Sequence, residues 1–587
     1  MPPSASQRIV LHSQAGRRAL SYSSEGKILN SQADIVLANG KIITVDDSFT
    51  IARAVAITGE RIAAVGSSAD IEPLIGPRTQ VIDLAGKSVL PGLIDGHAHV
   101  DREGLKSVFP SLGRVRSIAD IQARISELAR AAKPGEWIVT MPIGDPPTYF
   151  DVPDILKERR FPNRHELDQA APDNPVYIRP IWGFWRHTLP LVSIANTRAL
   201  KFAGIDRDTA PPAASVTIEK DAGGEPTGVF YEDTFMPIVE LTLLRGMPGF
   251  TRADRARTLP ASFRAYHAYG TTSVFEEHGA ATELIRAYKD LRMNQEMTMR
   301  VGLVLSPNWH AAGNIDFKPF VEGWCGWLGE PALGDDFLKM TGVYVTITHS
   351  PDNLARAAAL PYTGWAGFNY ATALPRERAK DLLIECARND IRAVGGTPPM
   401  IDLFYEVHQI VPLTGRRWVY GHISTLSERD IDRIEEMGLV LTSHTNRYIY
   451  KEGHLLKQRL GAERENEIAP FRSLVERGLK LALATDNVPV SMFYPVWQVV
   501  SRRNRYTEDL IAPAQRLTRE QALRCATANG AWLTFDERKK GSIEPGKLAD
   551  LVVLDADPLS VDEDALKDIA AEMTFVGGKN VYQRIMR

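Results

Sequence analysis

Short apolar stretches alternate with amphipathic stretches through the middle of the chain. The apolar stretches have the length and residue types of buried β-strands, and they are predicted at Lys87–Ile94, Thr271–Phe275, Arg300–Leu305, Phe337–Thr346, Ile391–Val394, Trp418–Tyr420, Val440–Thr442 and Leu481–Ala484. Stretches with helical spacing separate most of them, at Ala253–Tyr269, Arg376–Asn389, Ser427–Met437 and Ile468–Arg477. Strands joined by helical crossovers in this way predict a (β/α)8 barrel of the TIM type, an α/β fold whose chemistry lies at the carboxyl ends of the strands.

The two ends of the chain carry a different, β-rich pattern. Near the start, β-branched residues alternate around Asn39-Gly40, which is typical of a hairpin. Similar stretches occur near the end, at Ala549–Asp555 and Met573–Tyr582. Neither end has enough strands for a sandwich of its own, so we predict one small composite β-sandwich domain from residues 34–90 and 541–587. Residues 1–33 are then a flexible polar tail, and residues 91–540 form the barrel domain.

One long interval interrupts the alternation of strands and helices in the barrel domain. It runs from His99 to Thr271 and indicates a large insertion after the first barrel strand, at about residues 104–250. The insertion contains several prolines and the aromatic residues Trp182, Phe184 and Trp185, so we expect it to pack over the mouth of the barrel.

Composition and charge narrow the classes of function. The chain has 44% hydrophobic and 24% charged residues, with 69 Lys+Arg against 72 Asp+Glu. It therefore lacks the basic surplus of a nucleic-acid-binding protein, and no apolar run approaches the ~20 residues that cross a bilayer. The cysteines Cys325, Cys386 and Cys525 lie too far apart to indicate a disulfide framework. We predict a cytoplasmic enzyme with a small-molecule substrate, and the sequence leaves open whether it is a monomer or a homo-oligomer.

The first barrel strand ends in a candidate metal-binding pair, His97 and His99. The strand leads through Pro91-Gly92 and Asp95-Gly96 into the pair. Residues two positions apart on a strand point to the same side, so both imidazoles can reach one ion. An isolated His-x-His motif is weak evidence, because a buried histidine is usually only hydrogen-bonded. Its position at a strand end favours the metal interpretation here.

The segment Pro91–His99 and the turn-rich segment Gly541–Asp555 resemble the amidohydrolase superfamily, as does the order of the strands. Within it the chain is similar to the group with a long insertion, amidohydrolase family 3, which includes N-substituted formamide deformylases and YtcJ-like hydrolases. The motif from Arg186-His187 to Asn196 is similar to the insertion motif of that group around a substrate-facing histidine. The resemblance implies a barrel with a composite sandwich, and it covers the chain from residue 34 onwards.

The resemblance also implies roles for single residues. His422 follows the sixth strand, where the family has a histidine ligand, and Asp486 follows the eighth, where the family has an aspartate that contacts metal and accepts a proton from water. The structural alternatives are a hydrogen-bonded core histidine and a helix cap. The position of both residues at strand ends favours the functional interpretation.

Two positions depart from the family pattern and indicate a divergent metal site. Tyr344 follows Gly342-Val343 where related enzymes often carry a bridging lysine, and Gly395 stands where they carry a histidine on the fifth strand. One ion is therefore expected rather than two. Other residues at strand ends could complete the site: Glu276, Glu277 and His278 after the second strand, His349 after the fourth and His444 after the seventh. We include Glu277 among the predicted ligands because a carboxylate can bind zinc.

These observations lead to a hypothesis for the reaction. A divalent metal, expected to be Zn2+, is held by His97, His99, His422, Asp486 and Glu277 and activates water to cleave an amide, N-acyl or N-formyl C–N bond. Asp486 accepts the proton of the water, and His422 or His187 polarises the carbonyl group of a substrate that apolar aromatic residues would suit. The alternatives are a metal-dependent lyase, decarboxylase or isomerase on the same scaffold, and a binding protein without a metal.

Overall fold

The computed structural model describes residues 32–146, 149, 151–181, 190–234, 236–305, 307, 309, 315–324, 333–347, 364–365, 367 and 373–585 of the chain. The predictions for Trp182, Phe184, Trp185, His187 and His349 fall outside these residues. None of the described helices is both long and apolar enough to cross a bilayer.

The β-strands are, in chain order, β1 (Ile35–Ala38), β2 (Lys41–Ile43), β3 (Ile51–Ala52), β4 (Ala54–Thr58), β5 (Arg61–Gly66), β6 (Gln80–Asp83), β7 (Ser88–Pro91), β8 (Leu93–Asp95), β9 (Ile138–Thr140), β10 (Val176–Ile178), β11 (Leu191–Ala195), β12 (Val216–Lys220), β13 (Pro226–Glu232), β14 (Thr271–Ala280), β15 (Arg300–Leu305), β16 (Leu333–Gly334), β17 (Leu338–Tyr344), β18 (Thr346–Ile347), β19 (Ala373–Leu374), β20 (Ala393–Gly396), β21 (Val419–Gly421), β22 (Val440–His444), β23 (Leu481–Ala484), β24 (Leu551–Leu554), β25 (Ala571–Val576) and β26 (Lys579–Gln583).

The α-helices are α1 (Ser68–Ile71), α2 (Asp101–Leu105), α3 (Ile118–Ala131), α4 (Arg164–Ala170), α5 (Thr197–Ala203), α6 (Ile238–Leu241), α7 (Arg252–His267), α8 (Thr282–Met293), α9 (Phe317–Trp324), α10 (Arg376–Arg388), α11 (Pro399–His408), α12 (Glu428–Met437), α13 (Gly453–Leu460), α14 (Phe471–Glu476), α15 (Phe493–Ser501), α16 (Arg519–Ala526) and α17 (Ala528–Leu533). A π-helical turn covers Asn446–Lys451, and short 3₁₀ turns cover Glu72–Leu74, Ala462–Glu467, Pro513–Gln515 and Glu563–Asp568.

Within the described residues, eight parallel strands form the predicted barrel, in the spatial order β8, β14, β15, β17, β20, β21, β22, β23. At the seam between the last strand and the first, the N–H of Gly96 donates to the carbonyl of Leu483 at 2.9 Å. The sequence prediction of the fold class is confirmed. Two of the predicted strands were wrong in their extent. Lys87–Ile94 is divided, because β7 pairs with the terminal sheet and only β8 enters the barrel. Phe337–Thr346 is divided as well, because β17 belongs to the barrel whereas β18 pairs with β19.

Alternation along the barrel strands places successive layers of side chains inside the barrel. The lower layer is apolar and contains Phe275, Val304, Val394, Val419, Val440 and Ala482. Since side chains of a strand alternate between its two faces, the residues two positions further along face inwards as well. They include Glu277, Gly396, Gly421 and Thr442, and the next step along β22 and β23 reaches His444 and Asp486. Because every second residue of a strand faces inwards, the polar residues form a layer at the carboxyl end of the barrel, above the apolar layer.

Strands from both ends of the chain form the second, smaller unit. The six-stranded sheet β26-β25-β24-β7-β2-β3 joins the two ends, with Val552 of β24 opposite Leu90 of β7. The sheet β5-β4-β1-β6 packs against it through a shared apolar core that includes Leu37, Val55 and Phe575. The composite β-sandwich expected from the sequence is therefore present.

The residues between β8 and β14 include a five-stranded sheet of their own, in the order β12-β13-β11-β10-β9. Its apolar core contains Ile178, Ile194 and Phe230 and extends to Val488, which follows the eighth barrel strand by a few residues. The insertion thus packs beside the strand end that carries Asp486.

A buried ion pair joins the barrel to the sandwich. Arg300 of β15 donates from Nε and Nη2 to the two carboxylate oxygens of Asp550 at 2.7 and 2.9 Å, and the N–H of Gly577 donates to the same carboxylate at 2.8 Å. Both side chains are buried. Removal of one member of such a pair leaves an uncompensated buried charge, which is strongly destabilising.

We therefore expect Asp550→Ala to lower the free energy of unfolding by about 3–5 kcal/mol, measured from the loss of circular dichroism in urea. The control is Asp173→Ala, which removes an exposed ion pair with Arg198 and should cost less than about 1 kcal/mol. An effect of Asp550→Ala no larger than that of the control would show that the pair does not hold the two units together.

Candidate metal centre

Hydrogen bonds between the first and eighth barrel strands fix His97 and His99. Asp95 Oδ1 accepts the backbone N–H of His97 at 3.1 Å and that of Thr485 at 3.0 Å. The side chain of Asn487 accepts from the N–H of His99 at 2.8 Å and donates to its carbonyl at 2.9 Å. The backbone of both histidines is therefore clamped to the end of β23, so little conformational freedom is left to be lost when the imidazoles bind an ion.

Three histidines converge at the carboxyl end of the barrel. One ring nitrogen of each of His97, His99 and His278 lies within 4.8 Å of the other two. His97 and His99 are buried, and the side chain of His278 is partly exposed on the open side. Three imidazoles brought together in this way are a candidate donor set for zinc, which takes three protein ligands at many catalytic sites and keeps a further position for water or substrate.

Glu277 orients His97 from inside the barrel. Its Oε2 lies 2.8 Å from His97 Nδ1 and accepts the hydroxyl of Thr442 at 2.5 Å. A carboxylate on Nδ1 places the hydrogen there and leaves the Nε2 lone pair for an ion, a common arrangement around metal-bound histidines. Gly421 makes room for this carboxylate, because a Cβ at that position would overlap Glu277 Oε1.

Glu276 lies on the other side of the same strand, behind His99. It accepts the hydroxyl of Tyr288 at 2.7 Å and the N–H of Val100 at 3.0 Å, and its Oε2 lies 3.6 Å from His99 Nδ1. Burial, together with the nearby carboxylate of Asp101, raises the pKa of Glu276 to about 8.

Asp486 faces the histidines from the eighth strand. Its Oδ1 accepts a hydrogen bond from Arg102 at 3.1 Å and lies 3.5 Å from His99 Nε2 and 3.7 Å from His97 Nε2. Its Oδ2 is buried and has no hydrogen-bond partner among the described residues. The backbone of Asp486 is in the left-handed region at φ 51°, which turns its side chain back over the barrel.

His422, His444 and Tyr448 form the opposite wall of the site. His422 Nδ1 lies 3.0 Å from His444 Nε2 and 3.3 Å from the hydroxyl of Tyr448. The ring of His422 stacks on His278 with centroids 4.6 Å apart and planes 3° from parallel. Tyr448 lies in the π-helical turn after β22, a feature frequent at functional sites.

Burial keeps most of these imidazoles neutral. It lowers the pKa of His99, His278, His422 and His444 well below the usual value, and the charge of Arg102 or of neighbouring histidines adds to the effect. Burial opposes the charged form of His97 too, but the carboxylates of Glu277, Asp486 and Asp95 outweigh it and raise its pKa. Neutral imidazoles and carboxylates are the forms that bind a divalent cation.

Two buried atoms at the centre also suit a divalent ion. His97 Nε2 is buried, and it has no hydrogen-bond partner among the described residues, as is also true of Asp486 Oδ2. Buried polar atoms in this state are costly, and an ion between them would satisfy both.

The two departures from the family pattern have visible structural consequences. Tyr344 packs against the apolar barrel interior, with its ring 5.2 Å from that of His278. On the fifth strand, alternation places Gly396 rather than Gly395 on the inside, and a Cβ at Gly396 would lie 3.4 Å from His422 Cδ2. Gly395 instead faces Met400 and Phe404 of α11. The fifth strand therefore contributes no side chain at Gly396, and the ring of His422 lies next to its backbone.

Most of the residues predicted from the sequence meet at this centre: His97, His99, His422, Asp486 and Glu277. Their assignment as ligands stays a prediction, as does the role of His187, which lies outside the described residues. Glu277 contacts His97 Nδ1, which suits an orienting role better than the predicted role as a ligand. His278 was named only as a possible substitute. Its signal in the sequence was its position after the second strand, beside two glutamates.

Comparison with known proteins identifies the family. Residues 80–582 match the amidohydrolase family. This chain belongs to that family. It is an enzyme of the metal-dependent amidohydrolase class, which hydrolyses carbon–nitrogen bonds other than peptide bonds, and the group predicted from the sequence is confirmed.

Several relatives of this amidohydrolase align over nearly their whole length. It is 25% identical to the N-substituted formamide deformylase of Arthrobacter pascens, with 95% of this chain and 99% of the relative aligned. It is 24% identical to the protein YtcJ of Bacillus subtilis, over 86% and 91% of the two chains. A metal-dependent hydrolase of Pyrococcus horikoshii, whose structure is solved, shares its fold with a TM-score of 0.65 at 21% identity, over 90% of this chain and 99% of the other.

Loss of the orienting carboxylate should weaken metal binding. We expect Glu277→Gln to lower the metal affinity of the amidohydrolase about 10–100-fold, as is usual for carboxylates that position a histidine ligand. The affinity is measured by competition with a chromophoric chelator. Glu296→Gln, at an exposed position, is the matched control. If Glu277→Gln binds metal within twofold of the unaltered protein, Glu277 does not position His97.

Proposed function

We propose that this amidohydrolase uses one zinc ion, held by His97, His99 and His278, to hydrolyse the amide bond of an N-substituted formamide or a similar small N-acyl compound. The convergence of three histidine nitrogens beside the Asp486 carboxylate is the observation that carries the proposal. The similarity to an N-substituted formamide deformylase over almost the whole of both chains supports the substrate class.

A zinc ion at this position would polarise the carbonyl group and lower the pKa of water toward ~7. The residues of the chain carry the remaining steps. Asp486 is placed to accept a proton from the attacking water, since Arg102 holds one of its oxygens and the other has no hydrogen-bond partner among the described residues. Asp486 can then return the proton to the departing nitrogen, so that an amide and water give a carboxylic acid and an amine.

The walls of the site suit a planar or aromatic substituent. Tyr344 and His278 are partly exposed at the open end, and Tyr448 lies behind His422. Rings that line a site in this way favour offset or edge-on contacts with a flat ligand. The aromatic side of the proposed substrate would therefore lie along Tyr344 and His278, on the side of the fourth and second barrel strands.

The proposal is tested by product analysis. The zinc-loaded protein is incubated with N-alkyl and N-aryl formamides and with the matching acetamides, in water enriched in oxygen-18. We expect release of the amine together with formate that carries solvent oxygen. Hydrolysis of acetamides without formamides would overturn the formyl specificity. Conversion of substrate without solvent oxygen would indicate a lyase or isomerase, and failure on every amide would contradict the proposal as a whole.

A further inference from the structure

The side chain that holds one oxygen of Asp486 belongs to a short helix, α2. This side chain is Arg102, which lies three residues after His99 and is buried. Its Nη1 donates to Asp486 Oδ1 at 3.1 Å. A helix of five residues is not stable on its own, so its position depends on the parts of the fold that contact it. The contacts of α2 therefore decide where the guanidinium group lies.

Helix α7 supports α2 at two points. The N–H of Gly104 donates to the hydroxyl of Ser262 at 2.8 Å, and a Cβ at Gly104 would overlap the carbonyl oxygen of Thr258. At the start of α2, Asp101 forms an ion pair with Arg255 of α7, and both side chains are fully buried. The two helices are thus in close contact near both ends of α2.

A segment that follows the fourth barrel strand also contacts this region. Its residues Gly364, Trp365 and Gly367 lie between β18 and β19. The carbonyl of Gly364 accepts a hydrogen bond from Arg255 Nη2 at 2.6 Å, and the carbonyl of Gly367 accepts the N–H of Ala281 at 2.9 Å. The segment therefore reaches from the fourth strand to the residue that directly follows the second.

Trp365 contacts Arg102 itself. Its indole Nε1 donates to the carbonyl of Arg102 at 3.0 Å, and the side chain of Trp365 is buried. Its ring packs in the apolar core of the insertion, with its centroid 6.4 Å from that of the Tyr149 ring, and the same core includes Val488. Trp365 therefore joins the backbone of Arg102 to the insertion and to the strand end that carries Asp486.

Arg255 supports both partners of this hydrogen bond. It pairs with Asp101, the neighbour of Arg102, and it donates to Gly364, the neighbour of Trp365. Buried carbonyl groups that lose their donor are costly, so the Trp365 contact favours one position of the Arg102 backbone. A shift of that backbone would move the guanidinium group relative to Asp486, and a displacement of about 1 Å at a reacting group can slow a reaction about 100-fold.

We propose that Trp365 is a positioning residue for the hydrolytic reaction. It holds the backbone of Arg102 in the place from which the guanidinium group binds Asp486 Oδ1 and leaves Oδ2 for the proton of the attacking water. The proposal rests on the proposed function for the role of Asp486 as the base. Trp365 acts through Arg102, so its effect depends on the presence of the Arg102 side chain.

The crystal structure of zinc-loaded Trp365→Phe tests the positioning without any substrate. Phenylalanine keeps an aromatic ring in the core and removes the indole N–H. We expect the distance from Arg102 Nη1 to Asp486 Oδ1 to exceed 3.5 Å. Trp497→Phe is the matched control, because it removes a buried indole that donates to Asp564 at 3.3 Å, and it should leave that distance unaltered. An unaltered distance in Trp365→Phe would overturn the proposal, whether or not the protein hydrolyses formamides.

A double-mutant cycle tests whether Trp365 acts through Arg102. We expect Trp365→Phe to lower kcat about 10–100-fold, with KM changed less than about threefold, because the base acts in the chemical step. Arg102→Met should lower kcat at least as much. Residues of one network have effects that do not add, so Trp365→Phe in the Arg102→Met protein should lower kcat by less than about twofold further. The same factor in both backgrounds would contradict the proposal.

Gly367→Ala displaces the segment by a second route and leaves Trp365 in place. Gly367 has a φ of 72°, and a Cβ there would lie 2.8 Å from Asp101 Oδ1. We expect kcat to fall about 10-fold or more, again with a small change in KM. Gly478→Ala is the matched control, since Gly478 has a φ of 78° and no atom of the described residues within 4 Å of the added Cβ. If the two alanine variants have equal kcat, the segment does not position Arg102.

Discussion

Replacement of His97 with alanine is expected to abolish stoichiometric zinc binding and to lower turnover by more than about 1,000-fold, because activation of water by the metal is then lost. His97 is held by two other groups of the centre. Glu277 contacts its Nδ1, and Asp95 accepts its backbone N–H. Alanine removes the ligand and leaves the Glu277 carboxylate buried beside an empty volume.

The zinc content after exhaustive dialysis, measured by elemental analysis, and the rate of amide hydrolysis check this expectation. His165→Ala, a change at an exposed histidine of α4, is the control and should leave both quantities unaltered. A His97→Ala protein with one equivalent of zinc and undiminished turnover would refute the assignment of the centre.

The second large effect is expected for Asp486→Asn, which should retain zinc but lower turnover about 100–10,000-fold, the range that a general base contributes. Asparagine keeps the shape of the side chain and can still accept the hydrogen bond from Arg102. It cannot take up the proton of the attacking water or return it to the leaving nitrogen. The three histidines that remain should hold the ion.

The steady-state rate and the zinc content of the same preparation separate these two roles of Asp486. Asp208→Asn, at an exposed position, controls for the substitution itself. Turnover within threefold of the unaltered enzyme would exclude Asp486 as the base, and loss of zinc would assign it to the metal instead.

Local sequence patterns were sufficient to predict the barrel and the composite sandwich. A strand such as Arg300–Leu305 is apolar, short and separated from its neighbours by helical spacing, so its position could be predicted at the observed residues. The division of Lys87–Ile94 could not be predicted, because a single apolar run contains both β7 and β8. The strands that separate them, β24 beside β7 and β14 beside β8, lie hundreds of residues apart in the sequence. Pairing over such distances depends on the packed fold and leaves little trace in local pattern.

At the site, the sequence could predict residues that stand at strand ends in a family motif. His97, His99 and Asp486 belong to this class. The closeness of His278 to His97 and His99 depends instead on how the barrel strands pack, and the contact of Glu277 with His97 depends on the space beside Gly421. Lys339 illustrates the same limit: it lies on the fourth strand near Gly342, yet its Nζ is 2.6 Å from Asp536 in a partly buried ion pair. These are matters of three-dimensional contact.

The central claim is that a single metal ion lies on His97, His99 and His278. Anomalous diffraction at the zinc absorption edge, from a crystal of the zinc-loaded amidohydrolase, measures this most directly. We predict one strong anomalous peak about 2.1 Å from a ring nitrogen of each of these three histidines. A peak bonded to His422 in place of His278, two peaks bridged by Glu277, or no peak at the end of the barrel would contradict the account.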